Sequence, residues 1–278
     1  MSSGRMHSWP VPYLRSLDGE FQPGQTVFVK GFMLGEVFDF NLATGGDVQG
    51  YSGDSIAFHI GCRSQEKAYV ANTYLPNEGG WGKEERHKFT LKVNEEFDLR
   101  VRAHEDHFEV FANGKSIFKF NYRIPLPLVN HIFIDGAVEL YHVSWEGRYY
   151  PIPYEVKIPT MKTGTACYVS GCVSDKAKMF RIDLKADDDF VFHFCPRFTE
   201  KAVVRNTRRN GEWGDEERDG EFVFKKDRTF DVIIGCTDSG YEVFVDGKPY
   251  CSYAHRIPPS TVNKLAIDGD ITVQGIHW

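Results

Sequence analysis
The chain is written twice. Arg123-Ile124-Pro125 returns as Arg256-Ile257-Pro258, Val129-Asn130 as Val262-Asn263, Ile134-Asp135-Gly136 as Ile267-Asp268-Gly269 and Trp145 as Trp278, all at a spacing of 133 residues. Upstream, His59 and His193 lie 134 apart, Asn72 and Asn206 also 134, and Trp81 and Trp213 132. The spacing drifts where the first copy carries extra Gly-rich residues, around 45–53 and 76–80, as loop insertions do. A repeat this long means that each copy is a structural unit of its own. The 278 residues therefore divide into copies of about 1–148 and 149–278, each of ordinary domain size. The joint, Arg148-Tyr149-Tyr150-Pro151-Ile152-Pro153-Tyr154, is short, and its prolines favour an extended, semi-rigid segment.

Within each copy the apolar residues recur at every second position. Phe38, Phe40 and Leu42 alternate with polar or smaller residues, and so do Phe97, Leu99 and Val101; in the second copy Phe180, Ile182 and Leu184, and Phe230, Val232 and Ile234, do the same. Period two is the mark of a strand with one face in a core. Asn113-Gly114 and Asp246-Gly247 each follow a Phe-rich strand and predict hairpins, because such turns need positive φ. No run has helical periodicity. Aromatics make up 14% of the chain, which suits pleated, half-buried surfaces. The expected fold is all-β, with one antiparallel β-sandwich per copy. Trp145 and Trp278 sit beside apolar strand residues and are read as core.

Charge and cysteine usage exclude several functions. A formal net charge of −6 argues against binding nucleic acid or an anionic membrane, either of which needs a basic face. Residues 1–16 contain no apolar stretch like a secretory leader, and no run approaches a membrane span, so a soluble protein made in the cytosol without membrane insertion is expected. Cys62, Cys167, Cys172, Cys195, Cys236 and Cys251 form no CxxC pairs, and are read as free thiols rather than a metal cage or a disulfide framework. His104-Glu105-Asp106-His107 looks like a metal cluster, but the second copy has Thr237-Asp238-Ser239-Gly240 there, so a hairpin loop is expected and no metal. No cofactor is implied.

The most informative segment reads Phe58-His59-Ile60-Gly61-Cys62-Arg63 in copy one and Phe192-His193-Phe194-Cys195-Pro196-Arg197 in copy two. On a strand, His59, Gly61 and Arg63 share one face, as do His193, Cys195 and Arg197, while Phe58, Ile60, Cys62 and their counterparts point into the core. Asn72 and Asn206 follow. Then come Trp81-Gly82-Lys83-Glu84-Glu85-Arg86 and Trp213-Gly214-Asp215-Glu216-Glu217-Arg218, in which Glu84 and Arg86, or Glu216 and Arg218, share a face. An aromatic ring beside His, Arg, Asn and Glu suits a sugar. The C–H face of a pyranose lies on the ring, attracted by its negative π face. Its hydroxyls need both donors and acceptors, which these side chains supply.

The combined pattern resembles the galectins, whose signature is close to H-x-N-x-R, then V-x-N, then W-G-x-E-x-R. The resemblance covers the whole of each copy, and the tandem layout is similar to that of tandem-repeat galectins. It implies jelly-roll carbohydrate-recognition domains and a bivalent, non-enzymatic lectin. Its partners would be β-galactosides, such as lactose and N-acetyllactosamine-type glycans on glycoproteins or glycolipids. Residue by residue, it implies that His59 and Arg63 (His193 and Arg197) bond the galactose 4-hydroxyl and ring region, and that Asn72 and Glu84 (Asn206 and Glu216) bond the 6-hydroxyl. Trp81 (Trp213) would stack on the apolar face, and Arg86 (Arg218) would bond the neighbouring sugar and orient the Glu. It also implies release from the cytosol without a signal peptide, so that the protein would act both in the cytoplasm and outside the cell. One position departs from the family: the Asn between His and Arg is Gly61 in copy one and Cys195 in copy two. Loss of one hydrogen bond costs about 1 kcal/mol, so reduced affinity and looser 4-hydroxyl discrimination are expected.

Two other classes stay open at this level. A glycosidase would use paired carboxylates, and Glu84-Glu85 and Glu216-Glu217 offer adjacent acids; adjacent strand residues, however, point to opposite faces. An interaction protein could keep this fold with weakened or altered sugar specificity.

Overall fold
A computed structural model of the chain describes residues 8–17, 19–50 and 53–278. Part of the amino-terminal stretch read for a leader, and residues 51 and 52 of the 45–53 insertion, lie outside the described residues. The chain forms two compact units, Met1–Arg148 and Tyr149–Trp278. Among the described residues both are all-β and antiparallel, as the period-two pattern predicts, with only short 3-10 turns besides. Among the described residues no helix is long and apolar enough to cross a membrane.

Two long strands organise the first unit, Gln25–Ala43 and His131–Gly147, paired along most of their length. Each runs through two layers. Residues 37–43 pair with Ile56–Arg63, which pairs with Ala68–Leu75, itself flanked by Gly80–Trp81 and Glu85–Lys88. Residues 26–32 pair instead with Glu96–Ala103, followed by His107–Ala112 and Lys115–Asn121. The strands turn the corner at Gly136, whose φ is +104° and where a Cβ would come 2.8 Å from the backbone of Phe38. Gly269 makes the same corner in the second unit at φ +107°.

The second unit has the same two layers with the long strands broken. Ala166–Val173 and Phe180–Ala186 replace one, and Lys264–Gly269 and Ile271–His277 replace the other. Its first layer runs Tyr154–Lys157, Lys264–Gly269, Phe180–Ala186, Asp189–Arg197, Ala202–Arg209, Glu212–Trp213. Both hairpins form as predicted, with positive φ at Asn113, Gly114, Asp246 and Gly247. Residues 104–106 do connect two strands of a hairpin.

The alternating residues build the cores. Phe38, Phe40, Leu42, Phe58, Ile60 and Cys62 are fully buried in the first unit, as are Phe180, Ile182, Leu184, Phe192 and Phe194 in the second. Each such side chain contributes roughly 1.5–3 kcal/mol relative to exposure. Trp145 pairs with Val27 inside a ladder and packs on the core. Trp278 does not, contrary to the reading from its repeat position. It follows His277, the last residue paired with a neighbouring strand, and is 53% exposed. All six cysteines are free thiols.

Candidate functional site
The first layer of each unit presents a polar cleft, and strand register assembles it. In unit one His59 pairs across with Asn72, Tyr74 with Trp81 and Val70 with Arg86. Residues distant in sequence thus converge on one cleft lined by Asp39, His59, Arg63, Glu66, Asn72, Trp81, Glu84 and Arg86. In unit two His193 pairs with Asn206 and Arg208 with Trp213. The corresponding cleft is lined by His193, Arg197, Asn206, Trp213 and Glu216. Of the twelve residues singled out in the sequence, Arg218 alone is not on a cleft wall. It stands behind Glu216, to which its Nε donates at 2.6 Å.

The two tryptophans have matching settings. Trp81 is 41% exposed and Trp213 48%, so each is partly accessible to solvent. Each ring sits beside the histidine at the same tilt: 4.8 Å and 59° for Trp81 on His59, 4.9 Å and 59° for Trp213 on His193. The asparagines are held by the protein so as to leave one donor. Asn72 Oδ1 accepts from the Thr73 amide at 2.8 Å and from Arg123 Nη1 at 3.1 Å, and Nδ2 donates once, to the Gly82 carbonyl at 2.9 Å. Asn206 repeats all three contacts with Thr207, Arg256 and Gly214. The remaining N–H of each amide can donate to a ligand, while Glu84 or Glu216 beside it can only accept. A donor next to an acceptor is what a primary hydroxyl needs.

Ion pairs fix the acids. Arg86 Nε donates to Glu84 at 3.0 Å and its Nη atoms to Glu66 at 2.7 Å. In unit two, Arg218 bridges Glu216 and Glu200 in the same way, and Arg197 reaches both. The guanidinium partners hold the Glu216 carboxyl low against the opposing effect of its burial. Glu85 and Glu217 point elsewhere, to Arg123 and Arg256 at 2.8 and 2.7 Å. The adjacent acids therefore do not face one bond from either side, as the paired-carboxylate chemistry would require. Among the described residues no cluster of His, Cys, Asp or Glu is arranged to hold a metal ion.

Several participants escaped the sequence reading. Arg123 and Arg256 belong to the repeated Arg-Ile-Pro motif, but nothing local connects that motif to the asparagines. Glu66 and Glu200 lie in unremarkable turns. Asp39, Asn41 and Asp183 lie on the strand next to the histidine. His59 Nδ1 bonds Asn41 Oδ1 at 2.8 Å, and His193 Nδ1 bonds Asp183 Oδ1 at 2.6 Å.

The position that departs from the family signature shapes each cleft differently. A Cβ on Gly61 would come 2.8 Å from Arg63 Cζ, so the guanidinium lies over the bare glycine and reaches Asp39 Oδ1 at 2.5 Å. In unit two the Cys195 side chain is fully buried, on the strand between His193 and Arg197. Arg197 turns to Glu216 at 3.1 Å and Glu200 at 3.3 Å.

The family model for galactoside-binding lectins matches residues 12–145 and again 153–278. The chain is 40% identical to a 32 kDa beta-galactoside-binding lectin of Caenorhabditis elegans over 279 aligned positions, covering 100% of this chain and 99% of that one. It is also 40% identical to a lectin of the same description from Haemonchus contortus, over 96% of this chain and 95% of that one. Galectin-6 of Mus musculus is 28% identical over 96% of this chain and 94% of its own length.

Proposed function
The chain belongs to the galactoside-binding lectin family as a tandem-repeat galectin, and on that premise we propose that it cross-links galactose-bearing glycans through one cleft in each unit. Residues 1–148 and 149–278 act as two carbohydrate-recognition domains. The observation that carries this reading is the duplicated cleft, in which an exposed Trp stands beside His, Arg, Asn and Glu at matched distances.

In this reading galactose stacks its apolar face on Trp81 or Trp213. Its 4-hydroxyl meets His59 and Arg63, or His193 and Arg197. Its 6-hydroxyl accepts from the remaining Asn72 or Asn206 N–H and donates to Glu84 or Glu216. Arg86 and Arg218 hold those glutamates in register, and Arg86 also meets the neighbouring sugar. The partners are lactose and N-acetyllactosamine-type units of glycoproteins or glycolipids, met outside the cell. No step is chemical: lectins of this family bind and do not cleave. Two linked sites raise avidity by about 10²–10⁴ when both engage.

Lactose titration of the full chain tests the reading, with two sites expected. Red-cell agglutination should be blocked by lactose; clumping that persists in lactose counts against galactose recognition. Because Arg63 is drawn to Asp39, the first cleft should be the weaker.

A further inference from the structure
We infer that Asn41 and Asp183 are positioning residues that give the two clefts opposite hydrogen-bonding polarity at the histidine Nε2, an acceptor in the first and a donor in the second. This rests on the galactoside reading above and deepens it. The two residues are equivalent: Asn41 is the register partner of His59, and Asp183 of His193, and both are fully buried.

In the first cleft Asn41 Nδ2 donates to the Phe133 carbonyl at 3.2 Å, which turns its Oδ1 to His59 Nδ1. An amide oxygen can only accept, so Nδ1 carries the proton. A neutral imidazole has one N–H, so Nε2 is an acceptor. The ring stays neutral: burial lowers its pKa to about 4, Arg63 adds to this, and Asp39 and Glu84 oppose it. Asp39 Oδ1 lies 3.9 Å from His59 Nε2, but its charge is matched by Arg63. Asn72 and Trp81, facing the ring from the other strands, bring no charge.

In the second cleft the partner is a carboxylate. Burial lowers the His193 pKa, but the Asp183 and Cys195 side chains outweigh it and raise the value to about 9. Burial raises the Asp183 pKa against the opposing pull of His193, of Arg181, whose Nε stands 3.6 Å from Asp183 Oδ2, and of Lys185, so the two buried partners compete for one proton. Arg197 and Glu216 line the same cleft and pair with each other. Below that pH the His193–Asp183 pair carries one proton more than a neutral imidazole on a carboxylate. Wherever that proton sits along the 2.6 Å bond, Nε2 keeps its own N–H and donates.

A sugar hydroxyl can satisfy either cleft by rotating, so galactose suits both. A ligand atom that can only accept suits only the second. Fluorine in place of the galactose 4-hydroxyl of lactose is such a probe. Full-length Trp213→Ala reads the first cleft and Trp81→Ala the second, with no change of charge. At neutral pH the fluoro compound should bind the first cleft about tenfold more weakly than lactose, and the second no more than about threefold. Asn41→Asp and Asp183→Asn should exchange the two penalties. In the second cleft, binding of the fluoro compound should fall as pH rises through about 9. Imidazole proton shifts in the unaltered chain give a check that needs no variant: His59 should titrate near 4 and His193 near 9. Equal fluorine penalties in two clefts that both bind lactose, or two rings titrating at the ordinary value, would overturn the inference alone. Failure of lactose itself to bind would overturn the galactoside reading and the inference with it.

Discussion

Arg63 lies across Gly61 and donates to Asp39 from the neighbouring strand, at 2.5 Å. The pair is about four-fifths buried, so solvent screens it little and the carboxylate competes with a ligand for the guanidinium. Asp39→Asn should loosen that hold. Lactose affinity of the first cleft, read in full-length Trp213→Ala, should rise by roughly threefold to tenfold. Calorimetry at two salt concentrations measures it; an unchanged or lower affinity would show that Asp39 does not compete for Arg63.

Arg123 and Arg256 sit behind the asparagines, each guanidinium 4.7 Å from the ring of Phe120 or Tyr253. They bond the Asn oxygen and the carbonyl of Lys83 or Asp215 at once. Arg123→Ala should lower first-cleft lactose affinity by about tenfold. Arg123→Lys should restore little of it, because an ammonium lacks the planar fork. A 6-deoxygalactoside should be nearly indifferent to the change, which separates loss of Asn72 positioning from general damage.

Trp81→Ala and Trp213→Ala should each halve the lactose stoichiometry from two to one. Either change should abolish agglutination, since bridging needs both clefts. Both rings are more than two-fifths exposed, so stability should move by less than about 1 kcal/mol. Agglutination that survives one of these changes would mean that bridging arises from self-association.

The two histidines should give the units opposite pH sensitivity. His59 has a folded pKa depressed from 6.5 to about 4, so protonation favours the unfolded state. Its neutral form fits the fold fully above 6.5, and stability is lost as pH falls towards 4. His193 is raised from 6.5 to about 9, so its contribution is fully present below 6.5 and is lost as pH rises through 9. Hydrogen exchange, corrected for its intrinsic pH dependence, should show Ile56–Arg63 loosening first in acid and Asp189–Arg197 first in alkali.

Much of this architecture can be read from the chain because its determinants are local. Alternation places Phe58 and Ile60 inside and His59 on the cleft face, and Asn113-Gly114 announces its hairpin without reference to anything distant. The cleft is legible as far as the repeat carries it, from His59 to Arg86. Asn41 is not, because its role arises from pairing across strands. It precedes His59 by 18 residues, whereas Asp183 precedes His193 by only 10, so unequal loops hide the equivalence. Trp278 differs from Trp145 for a related reason: a repeat predicts a position, but burial depends on whether a neighbouring strand reaches it.

The unequal long strands make the two halves different substrates for protein engineering. In the second unit the chain leaves one ladder at Val173 and enters the next at Phe180, so added residues there need not shift any register. In the first unit the equivalent stretch lies inside Gln25–Ala43, where an insertion must be absorbed by the corner or displace every pair beyond it. At this stretch, a loop grafted to read an additional sugar therefore has a ready point of entry in the second half but not in the first.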